Sequence, residues 1–249
     1  MKVKHVLTVG VFLLSGILLC FAIVGLFLLS GGKIEQEQKA PTEQETSPAP
    51  ELPVVVIDAG HGGEDGGAVG VTGLVEKELN LDIAKRLAAL LEAGGYQVVM
   101  TRTEDVLLYD RNADFQGRKK VLDLAARQAV GDAHAKGVFI SIHANTFSQS
   151  QYHGLQIWYG AKNAQSARLA ERIRSEVVNA LQPDNHRQSK QAGSNIYLMY
   201  HLQMPCVLVE CGFLSNPAEC AALEDTAYRQ ELALALYRGI AAYHEDDAT

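Results

Sequence analysis

The hydrophobic positions between residues 53 and 244 follow two different spacings. Short continuous apolar runs, such as residues 54–58 and 138–143, are typical of strands buried on both faces of a sheet. Segments such as 75–91 and 164–181 instead place apolar residues every three or four positions, which predicts helices. Strands that alternate with helices favour an α/β fold. We therefore predict a single twisted, mostly parallel sheet flanked by helices.

The same pattern places the individual elements. Strands are predicted at residues 54–58, 96–101, 138–143, 154–159, 196–199 and 205–210. Helices are predicted at residues 75–91, 118–136, 164–181, 217–223 and 228–244, and the polar segments 102–117 and 183–194 are predicted loops. The first two strands are joined closely through the first helix, which indicates a parallel βαβ unit with a right-handed crossover.

The first part of the chain has a different character. Residues 1–33 are predicted to be a cytoplasmic stub and a transmembrane signal anchor, because residues 6–30 carry no charge and would span about 37 Å as a helix. Lys2 and Lys4 precede this segment and favour a cytoplasmic N-terminus, with the rest of the chain extracytoplasmic. The segment is longer than a signal-peptide core and has no small-residue cleavage pattern. A cleaved signal is the alternative.

Residues 34–52 are rich in Glu, Gln, Pro, Thr and Ser, which predicts a disordered tether. Residues 53–244 are long enough for one domain with its own core, and 245–249 form a short tail.

The net charge of −7 and the lack of a basic stripe argue against a nucleic-acid partner. Cys206, Cys211 and Cys220 are expected to be reduced and buried, since four cysteines do not make a disulfide framework in a chain of this length.

Residues with metal-binding or acid–base chemistry follow three of the predicted strands. His61 follows the first strand, His143 ends the third and Glu210 ends the last, while Glu76 lies at the start of the first helix. The carboxyl ends of parallel strands meet at one edge of a sheet, where ligands bind. Two imidazoles and one carboxylate form a common catalytic zinc set, and a second carboxylate can serve as the general base.

Each of these residues also has a purely structural interpretation. A single histidine is more often an ordinary structural side chain than a ligand, and a helix N-terminus favours an acidic residue such as Glu76 on electrostatic grounds alone. The glycine-rich loop at 60–67 could cradle a phosphate, but it lacks the Gly-Lys-Ser/Thr ending of a P-loop. His153 is a further candidate ligand or substrate contact. The metal interpretation is favoured because the fold brings the four residues to one edge.

Four ordered motifs carry a resemblance to a known family. They are IDAGHGGEDGGA (57–68), Glu76-Lys77, SIHAN (141–145) and VLVECGFLSN (207–216). Together they resemble the Amidase_3 family of zinc-dependent N-acetylmuramoyl-L-alanine amidases, over residues 54–240. The resemblance implies that His61, Glu76 and His143 bind Zn2+ and that Glu210 is the catalytic carboxylate. The implied reaction is hydrolysis of the amide bond between N-acetylmuramic acid and L-alanine in peptidoglycan.

An anchor joined to a lone catalytic domain, without wall-binding repeats, resembles the germination-specific amidases of endospore formers. That resemblance implies muramic lactam formation in the spore cortex. Residues 103–123 form a longer stretch than the plainest family members need. A membrane-tethered zinc peptidase or deacetylase, and a non-catalytic cell-wall-binding module, are the alternative functions. The need for an activator protein is left open.

Overall fold

The computed structural model describes residues 52–110, 112 and 116–246. The strands are β1 (Val54–Ala59), β2 (Gln97–Met100), β3 (Val138–Asn145), β4 (Gln156–Tyr159), β5 (Lys190–Gln191) and β6 (Cys206–Phe213). The helices are α1 (Glu76–Ala93), α2 (Lys119–Asp132), α3 (Gln165–Leu181), α4 (Tyr197–His201), α5 (Pro217–Glu224) and α6 (Thr226–Glu245).

The six strands form one sheet in the order β2-β1-β3-β6-β4-β5. The β1 strand runs parallel to both β2 and β3, and β3 runs parallel to β6. The β4 strand is antiparallel to β6, and the short β5 is parallel to β4. The predicted α/β class with a mostly parallel sheet is therefore confirmed. The β2 strand lies on one side of β1, and β3 lies on the other. This change of direction makes the carboxyl ends of β1 and β3 a switch point, where ligands bind in open α/β sheets.

Apolar side chains cover both faces of the sheet. On one face, Leu79, Ile83 and Leu87 of α1 pack with buried residues of α3 and α6 in the larger core cluster. On the other face, Leu198 and Met199 of α4 belong to a smaller cluster, against which residues of α2 pack. Helices on both faces bury most of β1, β3 and β6, which explains why these three strands are continuous apolar runs.

The predicted strand at residues 196–199 is wrong, because residues 197–199 begin helix α4 and Ile196 directly precedes it. A run of four apolar residues does not distinguish a strand from a short buried helix, and here Leu198 and Met199 point into the core in a helical turn. A strand does lie nearby, in the segment predicted as a loop. It is β5, whose two residues pair with Trp158 and Tyr159 and are too few to show a periodicity.

The predicted anchor at residues 6–30 lies outside the described residues. Within residues 52–110, 112 and 116–246, no helix combines the length and apolar character that a bilayer crossing requires.

The prediction for the cysteines is confirmed in the described part of the chain, where Cys206, Cys211 and Cys220 are buried free thiols. Burial raises the pKa of the Cys206 thiol to about 11 and also raises that of Cys211.

A buried cluster of charges fixes the carboxyl end of β1. The guanidinium of Arg127, on α2, lies 2.7 Å from both Asp58 and Asp123, and all three side chains are at most 5% exposed. Asp58 also accepts hydrogen bonds from Thr101 on one oxygen and Ser141 on the other. Burial alone would raise the pKa of Asp58, but Arg127 and these donors hold it below its usual range. The carboxylate is therefore ionised and fully paired.

Substitution of Arg127 should strongly destabilise the fold. Arg127→Met leaves two carboxylates buried without their cation, and loss of one partner of a buried pair typically costs about 3–5 kcal/mol. Arg86→Met is a matched control, because Arg86 forms the same i,i+4 bond to Asp82, also at 2.7 Å, but at the surface. We expect a cost of about 0–1 kcal/mol there. Urea unfolding measures both values, and similar costs for the two variants would contradict this assignment.

Candidate active site

The loop after β1 holds His61 in an unusual backbone conformation. The φ angle of His61 is 61°, in the left-handed region that residues other than glycine rarely adopt. Two buried arginines hold the carbonyl oxygens of this loop. Arg127 donates to His61 O at 2.6 Å and to Ala59 O at 2.8 Å, and Arg102 donates to Ala59 O and to Gly60 O. These bonds stabilise the turn that directs the His61 imidazole towards the sheet edge.

The Glu76 carboxylate lies at the centre of the site. It is the first residue of α1 and only 3% exposed. Its Oε1 lies 3.2 Å from His61 Nε2 and 3.0 Å from His143 Nδ1. The backbone amides of Ala68 and Ala144 also donate to this carboxylate, at 2.8 and 3.2 Å. The carboxylate is therefore fixed in position.

The structure brings together the three residues predicted as metal ligands. Each of His61, Glu76 and His143 offers one ligand atom, and these atoms lie within 4.8 Å of one another. The two imidazole rings lie edge to face with their centroids 5.0 Å apart. Two imidazole nitrogens and one carboxylate oxygen are a suitable donor set for a metal of the zinc type.

Electrostatic effects favour an ionised carboxylate at this position. Burial raises the pKa of Glu76, but its hydrogen bonds to His143 and His61 outweigh that effect and hold the pKa far below its usual range. Burial lowers the pKa of His61, but the adjacent Glu76 and Asp65 raise it by more. The ionised carboxylates of Glu76 and Asp65 therefore favour a positive charge at this position.

Glu210 lies beside the cluster on the neighbouring strand. It is the register partner of His143 across β3 and β6, so both side chains project from the same face of the sheet. Its Oε2 is buried and has no hydrogen-bond partner among the described residues. Burial raises the pKa of the Glu210 carboxyl from 4.5 to about 7; the nearby Glu76 carboxylate adds to this rise, and His143 and His61 oppose it by less. A carboxyl with such a pKa can both take up and release a proton near neutral pH.

Two glycines make room for these side chains. A Cβ on Gly60 would overlap the His143 imidazole. At Gly67, with a φ of 67°, a Cβ would lie 2.5 Å from Glu76 Oε2 and 2.8 Å from His61 Cδ2. The glycine-rich loop therefore allows the backbone to approach the cluster closely.

Several residues around the cluster were not predicted from the sequence. Asp65 lies four residues after His61, and its Oδ2 is 3.0 Å from His61 Nδ1. Asn80 donates to Gly60 O and to Glu76 Oε1. Its position one helical turn after Glu76 was the available signal. His153, the further candidate ligand or substrate contact, is exposed and lies outside the three-residue cluster.

The comparisons with known proteins agree on one family. The family model for N-acetylmuramoyl-L-alanine amidases matches residues 55–242. The germination-specific N-acetylmuramoyl-L-alanine amidase of Bacillus subtilis is 35% identical over 190 residues, which are 76% of this chain and 79% of that protein.

Two solved structures extend the comparison. The CwlD amidase from Clostridioides difficile, in complex with the GerS lipoprotein, superposes with a TM-score of 0.74 and 36% identity, over 78% of this chain and 100% of that one. The amidase AmiC2 of Nostoc punctiforme gives a TM-score of 0.65 and 32% identity, over 78% of this chain and 97% of that one.

The raised pKa of Glu210 should appear in the pH dependence of stability. Between pH 4.5 and about 7 the folded chain retains a proton that the unfolded chain releases, so the free energy of unfolding falls as the pH rises through this window. Gln cannot ionise, so chelator-treated Glu210→Gln should be more stable than the parent by up to about 3 kcal/mol at pH 8, with little difference at pH 4.5. Urea unfolding at both pH values measures this, and a constant difference would contradict the raised pKa.

Proposed function

Since the chain belongs to the N-acetylmuramoyl-L-alanine amidase family, it hydrolyses the bond between N-acetylmuramic acid and L-alanine in peptidoglycan, and we propose that it does so as a zinc enzyme. In this proposal the zinc ligands are His61, Glu76 and His143. Glu210 is the general base. The observation that carries the proposal is the convergence of three metal-type ligand atoms within 4.8 Å, beside a buried carboxylate on the next strand.

The donor set fits a zinc ion on its own chemistry. The Glu76 carboxylate is ionised and fixed by two backbone amides, so its position does not depend on the metal. A bound zinc ion would supply a Lewis acid and a water of lowered pKa at this edge of the sheet. Open coordination positions are typical of catalytic zinc sites with three protein ligands.

Glu210 performs the proton transfers in this proposal. Its carboxylate takes a proton from the attacking water and returns it to the amine of L-alanine as the amide bond breaks. Its buried Oε2 has no partner among the described protein groups, so it is available to the water and the leaving amine. A pKa near 7 suits both directions of transfer, since neither form is strongly favoured at neutral pH.

The two carboxylates should respond differently to removal of the charge. Glu210→Gln keeps the three ligands and should retain zinc, yet lose about 10²–10⁴ in kcat, with a smaller effect on KM. Glu76→Gln replaces a ligand and should lower zinc affinity, with some activity returning at high added zinc. The measurements are zinc content and muropeptide hydrolysis at low and saturating zinc.

Glu219→Gln is a control for loss of a carboxylate elsewhere in the domain, because Glu219 accepts bonds from Gly154 N and Phe213 N away from the three ligands. It should retain both zinc and kcat. If Glu210→Gln loses zinc and is rescued by added metal, while Glu76→Gln keeps zinc and stays inactive, the two roles are reversed.

The biological setting is part of the proposal. The Bacillus subtilis relative is named as germination-specific, which supports a role for this chain in the spore cortex. The Clostridioides difficile relative was solved with the GerS lipoprotein. A partner protein of that kind for this chain is a further element of the proposal, and it is supported by that complex alone.

We also propose that residues 1–33 anchor the chain in the membrane. The support is the uncharged segment 6–30 behind Lys2 and Lys4, followed by the polar tether 34–52. The catalytic domain at residues 53–244 would then face the wall outside the cytoplasmic membrane, where its substrate lies.

This topology predicts that protease added to intact protoplasts degrades the catalytic domain. A cytoplasmic protein in the same sample is the control and should remain intact until the protoplasts are lysed. N-terminal sequencing of the membrane fraction should find the uncleaved segment. Complete protection of the domain, or a mature N-terminus beyond Ser30, would contradict the anchor.

A further inference from the structure

A groove with aromatic walls and two cations lies next to the site. Its volume is about 260 Å3, and its walls include Phe147, Tyr152, Trp158 and Phe213, with Arg187 and Lys190 at its rim. Phe147 and Tyr152 are large apolar side chains that are 52% and 39% exposed. We call this feature the β4 groove, because Gln156 and Trp158 of β4 form its floor.

The β4 groove begins one strand away from Glu210. Gln156 is the register partner of Glu210 across β4 and β6, and His143 is its partner on the other side. Register partners project from the same face of a sheet, and so does Trp158, two residues after Gln156. The metal-type cluster and the groove therefore lie on opposite sides of Glu210 on one face. A substrate whose scissile bond lies beside Glu210 can extend over both the metal-type cluster and the β4 groove.

Both cations of the groove lie over aromatic rings and lack a carboxylate partner. The Arg187 guanidinium carbon is 4.7 Å from the centre of the Phe213 ring, and Lys190 Nζ is 5.8 Å from the centre of the Trp158 ring. Arg187 Nε donates to His153 O at 2.8 Å, which fixes the side chain. Within the described part of the chain, no acidic group lies within ion-pair distance of either residue. The Glu219 carboxylate interacts electrostatically with Arg187, but its oxygens accept hydrogen bonds from the backbone amides of Gly154 and Phe213. The remaining donors of Arg187 and Lys190 are therefore free to bind an anion.

The two sides of the scissile bond differ in charge. The lactyl carboxyl of muramic acid is consumed in the amide bond, so the glycan side of an uncleaved substrate carries no carboxylate there. The peptide side carries free carboxylates on its side chains and at its end. Two unpaired cations therefore match the peptide side and not the glycan side.

We propose that the β4 groove binds the stem peptide of the substrate, with Arg187 and Lys190 pairing with its carboxylates. The assignment rests on the proposed function, since it places the scissile amide at Glu210. The aromatic walls pack against the peptide backbone and the apolar parts of its side chains. Arg187 and Lys190 are specificity-determining residues that do not touch the reacting atoms.

A binding experiment tests this assignment directly. Trp158 is the only tryptophan in the chain, so intrinsic fluorescence reports on the groove. The protein is the zinc-loaded Glu210→Gln variant, which binds substrate without turning it over. The two ligands are a muropeptide with free stem carboxylates and the same muropeptide with those carboxylates amidated. The variants are Arg187→Gln and Lys190→Gln in that background.

Each substitution should raise the Kd of the free-carboxylate ligand about 3–10-fold, since partly exposed charge-assisted contacts are of this strength. The Kd of the amidated ligand should change less than about 2-fold. Arg187→Lys keeps the charge and should recover most of the affinity. Lys85→Gln and Arg238→Gln, at exposed positions on α1 and α6, change the net charge equally and should leave both Kd values unchanged. Zinc content and circular dichroism should match in all variants.

Equal losses for the two ligands would overturn the assignment, because the cations would then support the shape of the groove and not a carboxylate. Unchanged affinity for both ligands would overturn it as well. A change in Trp158 fluorescence that saturates with a peptide-free glycan would also overturn the assignment, since the groove would then bind sugar. The proposed function fails separately, because continued turnover by Glu210→Gln would contradict the general base whatever the groove binds.

Discussion

The buried guanidinium of Arg127 is the interaction on which the site depends. It neutralises Asp58 and Asp123 inside the protein and also donates to the carbonyl oxygens of Ala59 and His61. Without Arg127, both carboxylates would be buried without a cation, and the two carbonyl oxygens would lose a hydrogen-bond donor. Both losses are costly in a low-dielectric interior. One side chain therefore connects the stability of the sheet to the conformation of the loop that carries His61.

The sheet topology accounts for the rest of the site. Since β1, β3 and β6 are adjacent and parallel, the residues that follow β1 and those near the carboxyl ends of β3 and β6 lie at one edge of the sheet. The loop of residues 60–75 joins the end of β1 to helix α1, which begins at that edge with Glu76, so four residues that are up to 149 positions apart in the chain meet there. The backbone amides near Ala68 and Ala144 then fix the orientation of the carboxylate. The metal-type cluster is a consequence of strand order more than of local sequence.

The fold class and the meeting of His61, His143 and Glu210 at one edge were predictable because each depends on a strong signal. Continuous apolar runs mark the buried strands, and His61, His143 and Glu210 follow or end such runs directly. The errors arise where the signal is short. Residues 196–199 are apolar in either a strand or a helix, and the two residues of β5 carry no periodicity. The β4 groove was not predicted, because Trp158, Arg187 and Phe213 meet only through tertiary packing, which spacing along the chain does not encode.

The buried cysteines have a consequence for the durability of the domain. Only a thiolate attacks oxidants and disulfides, and burial keeps the Cys206 and Cys211 thiols protonated and away from solvent. In the oxidising surroundings of the proposed location, thiols of this kind neither cross-link nor exchange partners. Among the described residues the cysteines form no disulfide, so a reductant has no bond to break there. The covalent structure of this part of the chain is therefore insensitive to a change in the redox potential of its surroundings.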